Sequence, residues 1–252
     1  MDGNSYFFTN LVLDWLRDYK NYLLFALSLY LGGAGAWFIS KASMRSLLMD
    51  VPEERSSHSV PIPRGGGLGI FMMVVLAGLV LDIPTHFIFP VIFVAIITFY
   101  GDFFELSVRW RLIMQFAAAI MMIFPSLPHL LPSYLAVSKY SYVLIFCGMS
   151  LFLVGTANFY NFMDGINGIA GISGVIAFGF LGYFGVSIQQ TSAYTETYAI
   201  LSFCVALACL GFLPFNMPRA RVFMGDVGSI LLGFVFAGLV IKLSRNLLDF
   251  IC

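Results

Sequence analysis

Eight stretches of 15–20 residues pass through this sequence with almost no charged side chain: 22–40, 67–83, 86–100, 112–127, 142–157, 169–188, 198–215 and 229–243. A bilayer core about 30 Å thick is crossed by roughly 20 apolar residues in a helix. Backbone N–H and C=O groups cannot face lipid unpaired, so stretches of this length are expected to be helices. The fold class that follows is all-α: a polytopic transmembrane helix bundle of about eight spans, making one membrane domain over residues 1–252. The third, fourth and eighth stretches are short, so their ends are the least defined. Composition agrees, with 60% hydrophobic and 10% charged residues, where soluble domains run near 45–50% and about 25%.

Several function classes drop out. The net charge is zero, which gives no nucleic-acid footprint. Cys147, Cys204 and Cys209 lie in apolar runs and Cys252 is the last residue, which is neither a disulfide framework nor a zinc spacing. Asp2, Asp14, Arg17, Asp18 and Lys20 precede the first apolar run, the wrong order for a cleavable signal peptide, so the first span is expected to stay as an anchor. The loops after spans one, three, five and seven hold eight Lys and Arg: Lys41, Arg45, Arg55, Arg64, Arg109, Arg111, Arg219 and Arg221. The other side holds five: Arg17, Lys20, Lys139, Lys242 and Arg245. The bias places the odd loops in the cytoplasm. Those same loops carry Asp102, Asp164 and Asp226, whereas Asp82, His86, His129 and Glu196 are scattered over the even side without pattern. Carboxylates at helix ends in a membrane are costly and usually functional, so three on one side suggest one shared site.

Four segments carry the chemistry. In Asn158-Phe-Tyr-Asn161-Phe-Met-Asp164-Gly165-Ile-Asn167-Gly168, polar residues recur every third position, one stripe of a helix or helix-like turn. Helix capping explains one such residue, not four within ten positions. In Asn216-Met-Pro-Arg219-Ala-Arg221-Val-Phe-Met-Gly225-Asp226-Val-Gly-Ser, an aspartate opens an apolar span beside two arginines. A helix N-terminus next to cations suits phosphate; a plain N-cap Asp beside cytoplasmic arginines is the competing reading. Gly101-Asp102-Phe-Phe-Glu105-Leu-Ser-Val-Arg109-Trp-Arg111 is weaker alone. Arg55-Ser-Ser-His58-Ser-Val-Pro-Ile-Pro-Arg64-Gly65-Gly66-Gly67 offers a glycine turn whose amides suit phosphate, or is an ordinary loop. Together the carboxylates and basic residues describe a magnesium–phosphate site, since Mg²⁺ binds through one or two carboxylates plus phosphates; Mn²⁺ is the substitute. No Gly-x-x-x-x-Gly-Lys-Ser/Thr appears, which argues against ATP.

The strings Asn-Phe-Met-Asp-Gly-Ile-Asn-Gly and Met-Gly-Asp-Val-Gly-Ser resemble the signatures of the polyprenyl-phosphate N-acetylhexosamine-1-phosphate transferases, glycosyltransferase family 4. The likeness runs from about Arg55 to Leu243. The family includes the peptidoglycan pentapeptide transferase and the enzymes that start O-antigen and enterobacterial common antigen synthesis. Asn167 stands where the pentapeptide transferase usually has Asp, which fits the antigen and teichoic-acid branch.

The resemblance implies an Mg²⁺-dependent enzyme of the bacterial inner membrane, active on its cytoplasmic face. Undecaprenyl phosphate would attack a UDP-N-acetylamino sugar, releasing UMP and leaving a polyprenyl-diphosphate sugar for cell-envelope polysaccharide such as lipopolysaccharide O-antigen. It implies Asp102 and Asp164 as catalytic, and Asn161, Asp164 and Asp226 around the metal. His58, Arg64, Asn158, Asn167, Asn216 and Gly225 would bind substrate. A homodimer is compatible with it.

Two departures accompany the likeness. The family normally has Asp-Asp where this chain has Gly101-Asp102, and the first Asp is a proposed base toward the lipid phosphate. A phosphomonoester is already largely dianionic at neutral pH, its second pKa lying near 6. The family also has ten or eleven spans and a late cytoplasmic loop with His and Arg, against which a chain ending at Cys252 reads as C-terminally short. An inactive or truncated homologue and a transporter are the competing readings. A transporter would hold its ionisable groups near the midplane, not at span ends.

Overall fold

The structure is a computed structural model that describes residues 19–41, 49–50, 61–104, 106–127, 139–187 and 193–244. Eight α-helices run through these residues: α1 Tyr19–Lys41, α2 Leu68–Val80, α3 Thr85–Phe104, α4 Val108–Ile123, α5 Lys139–Met163, α6 Ile169–Ser187, α7 Ala193–Asn216 and α8 Asp226–Leu243. A 3₁₀ turn, Phe124–Ser126, follows α4. The extended structure described is one two-residue ladder, β1 Met49–Asp50 antiparallel to β2 Ile62–Pro63. The all-α bundle is thus as the apolar stretches require. Seven helices are long and apolar enough to cross a membrane, and α2 is a shorter apolar helix. Its 13 residues rise about 20 Å, short of a bilayer core. The chain ahead of it is the reason: residues 63–67 are drawn against the lead-in to α8 by three backbone hydrogen bonds, Phe223 N–H to Pro63 O, Gly66 N–H to Phe223 O and Gly67 N–H to Met224 O, each 2.9 Å.

Burial sorts the helices. Of α8, 78% lies inside the bundle, against 28% of the apolar stretches of α1 and α5. Helix α8 is apolar on all sides and therefore central, packed chiefly on α3 and α5 and touching α2, α6 and α7. At Gly233 it comes so near α5 that an added Cβ would lie 2.5 Å from Ala157 Cα, the close approach that small residues allow between membrane helices. The peripheral helices turn large apolar side chains outward, among them Trp37, Phe38, Leu144, Phe180 and Tyr183. Buried hydroxyls inside the spans bond back to the carbonyl four residues earlier, as Ser28 does to Leu24, Thr98 to Val94 and Ser150 to Phe146, which satisfies these three in an apolar interior.

Helix ends differ from the sequence expectation where they matter most. The fifth span continues to Met163, so Asn158 and Asn161 sit in the last turns of α5, not at the mouth of α6. The eighth begins at Asp226, three residues earlier than its apolar run. Both extensions consist of residues too polar to count as span by composition.

Candidate active site

The Arg64–Gly65 segment, the end of α3, the first turn of α4 and the end of α5 meet at the first turn of α8. Gly225 precedes that turn with φ 74°, a conformation that suits glycine. An added Cβ there would also stand 2.6 Å from Gly65 N. Two glycines with positive φ, Gly65 and Gly225, thus let the Arg64 loop lie directly on the start of α8. Asp226 is the first residue of the helix, and its carboxylate does not cap it. Oδ1 accepts from Asn161 Nδ2 at 2.7 Å, and Oδ2 is held by the Arg111 guanidinium. The plain N-cap reading of Asp226 fails on these contacts.

Asp164, just past α5, is turned elsewhere. Its two oxygens accept the backbone N–H groups of Met224 (3.0 Å) and Gly225 (2.7 Å). It is buried, and burial pushes its carboxyl up to about 7. The Gly225 and Met224 amides pull against that rise, Asp226's charge adds to it and Arg64 opposes it. Asn216, 1% exposed, also staples backbone: Oδ1 accepts Gly168 N–H at 2.7 Å and Nδ2 donates to Val222 O at 3.0 Å. Asn167 is exposed and donates to Pro218 O at 3.3 Å. Asn158 donates to Gln115 Oε1 at 2.7 Å and to Val154 O at 2.8 Å. His58 lies outside the described residues.

Asp102, at the end of α3, faces the Val227 amide and lies within reach of the charges of Asp226, Arg64 and Arg111. Its Oδ2 is buried without a hydrogen-bond partner. Gly101 beside it has room for a side chain: a Cβ would meet Arg111 Cδ at 3.6 Å, an ordinary contact. Arg64, Arg219 and Arg221 are exposed around this end.

Of the cluster, Gln115 has no place in the sequence-derived site, and Arg111 stands there only as the end of the weakest segment, without a role. They share one face of α4 at i, i+4 spacing, and a glutamine inside an apolar span was the available signal. Among the described residues no three His, Cys, Asp or Glu side chains converge as a metal cluster, and Asp164 is already engaged. A divalent cation needing only one or two carboxylates nonetheless fits beside Asp102, whose partnerless oxygen is the kind of atom a cation satisfies, and Asp226, whose oxygens each retain a lone pair.

The profile described as glycosyl transferase family 4 matches residues 84–244, the stretch from α3 to the end of α8. The chain belongs to glycosyl transferase family 4. It is a multi-pass membrane protein, as its apolar helices and its relatives in the family require. A decaprenyl-phosphate N-acetylglucosaminephosphotransferase of Mycobacterium tuberculosis is 30% identical over 209 residues, 74% of this chain and 51% of the relative. A probable undecaprenyl-phosphate N-acetylglucosaminyl 1-phosphate transferase of Bacillus subtilis is 29% identical over 208 residues, 78% of this chain and 55% of the relative. A phospho-N-acetylmuramoyl-pentapeptide-transferase of Bacillus cytotoxicus is 38% identical over 98 residues, 38% of this chain and 28% of the relative. The chain spans about half the length of the first two family members and less of the third.

Proposed function

We propose that the chain transfers an N-acetylamino-sugar 1-phosphate from a UDP-sugar to undecaprenyl phosphate, at the cytoplasmic face of a bacterial inner membrane. The observation that carries this reading is the junction of Asp102, Asp226, Asn161 and Arg111 at the N-terminus of α8, with Arg64 in electrostatic reach. A diphosphate needs such a mixture of cations, first-turn amides and a metal-binding carboxylate pair. The names of the relatives support the same chemistry, with a polyprenyl phosphate and an N-acetylglucosamine 1-phosphate unit. In the reaction a phosphate oxygen of the lipid bonds to the sugar-linked β-phosphorus. The bond from that phosphorus to the bridging oxygen breaks, and UMP departs with the electron pair. Asp102 and Asp226 would hold Mg²⁺, which when bound neutralises charge on the diphosphate. Arg111, released from Asp226, would bind a phosphoryl oxygen. Asn161 would keep the Asp226 carboxylate oriented, and Asp164 would hold the Met224–Gly225 backbone on which the site rests. The product would initiate an envelope polysaccharide such as O-antigen or teichoic acid.

The test is UMP release from purified protein given undecaprenyl phosphate, Mg²⁺ and a panel of UDP-N-acetylamino sugars. Release with one sugar supports the reading, and no release above background with any of them refutes it. Gly101, in place of the family's usual Asp, favours a second reading as an inactive homologue, and the same null result would support it.

A further inference from the structure

The end of α8 opposite Asp226 is not the patternless side that the sequence suggests. Lys242 is sixteen residues further along the helix, about 24 Å at 1.5 Å per residue. Its ammonium donates to Ser126 Oγ at 2.6 Å and lies 2.8 Å from His86 Nε2. Ser126 gives its own proton to Met122 O, so its oxygen is free to accept. A lysine ammonium only donates, so His86 Nε2 must be the acceptor and the ring is neutral. Three helix ends thus bring a cation together with two neutral partners. No carboxylate of the described residues pairs with Lys242; the ion pair described there is Arg111–Asp226, at the other end of the helix. Two of the three ammonium donors are used, which leaves one for an incoming oxygen.

A groove of about 480 Å³ opens beside this cluster, with His86 in its wall and apolar side chains, chiefly Phe89, Pro90, Ile120 and Phe124, along the rest. Phe89 and Phe124 are 56% and 68% exposed on the outer surface of the bundle. An apolar slot whose wall carries His86, the ring against which the Lys242 cation rests, matches one kind of molecule, an amphiphile with an acyl chain and a net-negative head. A buried-side cation in a membrane normally finds a counter-charge, and a zwitterionic headgroup brings its own cation to cancel the match.

We propose that this groove binds an anionic phospholipid of the leaflet opposite the acid cluster, its acyl chain against Phe89 and Phe124 and its phosphate at the remaining Lys242 N–H beside His86. The site is separate from the transfer chemistry and does not depend on it.

The test uses the full chain in detergent, with thermal unfolding and native mass spectrometry read during titration with phosphatidylglycerol, phosphatidylcholine or inorganic phosphate. Phosphatidylglycerol is expected to raise the unfolding temperature and stay bound about fivefold better than phosphatidylcholine, the factor one basic side chain contributes at an anionic lipid surface. Inorganic phosphate should do neither. Lys242→Met should erase the preference. Ile120→Trp, which fills the groove from its lipid-facing wall, should reduce retention of both lipids and keeps the proposal testable if Lys242→Met fails to fold. Equal retention of the two lipids, or a preference that survives Lys242→Met, overturns it. So does a response to inorganic phosphate alone, which would assign a soluble anion. A dimer that carries no lipid and is split by Ile120→Trp overturns it in favour of a second copy of the chain.

Discussion

The two ends of α8 solve the problem of charge in a membrane protein differently. At its start, Asp226 meets an opposite charge, Arg111, and an amide, Asn161, both brought in by other helices. At its finish, Lys242 meets only neutral partners among the described residues. The start is assembled from the ends of α3, α4 and α5 and the Arg64 segment and is surrounded by exposed arginines, so its charges are balanced within the protein. The finish is assembled from three helix ends beside an apolar groove, so its balance comes from outside. One helix therefore carries a self-compensated polar site and an uncompensated one about 24 Å apart.

The largest expected effect is at the balanced end. Asp226→Asn should lower UMP release by about 100-fold or more, the scale on which a preorganised electrostatic contact acts, while detergent-solubilised protein keeps its helical circular dichroism. Near-normal turnover would remove Asp226 from the site. Asp164→Asn should act through structure as well as rate. An amide has one acceptor oxygen where the carboxylate uses two, so one buried N–H of Met224 or Gly225 loses its partner at a cost of about 1–3 kcal/mol, readable as a lower unfolding temperature. The wild type should also lose stability as pH rises. A carboxyl raised to about 7 in the fold contributes in full below the ordinary carboxyl range, and that contribution is lost as pH climbs through about 7. With chelator present, Asp164→Asn should flatten this dependence, and an unchanged slope would assign it to another group.

Smaller effects test the supports. Gln115→Ala removes the partner of Asn158 and should cost about 1 kcal/mol in thermal unfolding, together with a measurable fall in kcat. A fall in stability with kcat untouched would make the pair purely structural. Gly101→Asp has space for its Cβ and should raise the single-turnover rate. An unchanged or lower rate would mean that the added carboxylate draws Arg111 to itself instead of serving the lipid phosphate.

Much of this was legible in the sequence because lipid leaves the backbone so few options. The apolar helices, their number and the carboxylates gathered at odd loops could be read from hydrophobic runs and parity. Helix ends could not, because Asn158 and Asn161 continue α5 in spite of their polarity. Nor could the division of labour among the aspartates. Asp164 is held by backbone amides, which have no side-chain signature, and Asp226 by Arg111, 115 positions away in the chain. Lys242 and His86, 156 positions apart, looked unrelated for the same reason: only tertiary packing joins them.

The burial of α8 has a consequence for biogenesis. The most enclosed helix is also the last of those described along the chain. During synthesis, the preceding helices enter the bilayer while the space they will enclose is still lined by lipid or by one another, and α8 must displace those temporary neighbours to reach the centre. Both polar ends are completed by that single late insertion, so a nascent chain arrested before α8 has neither.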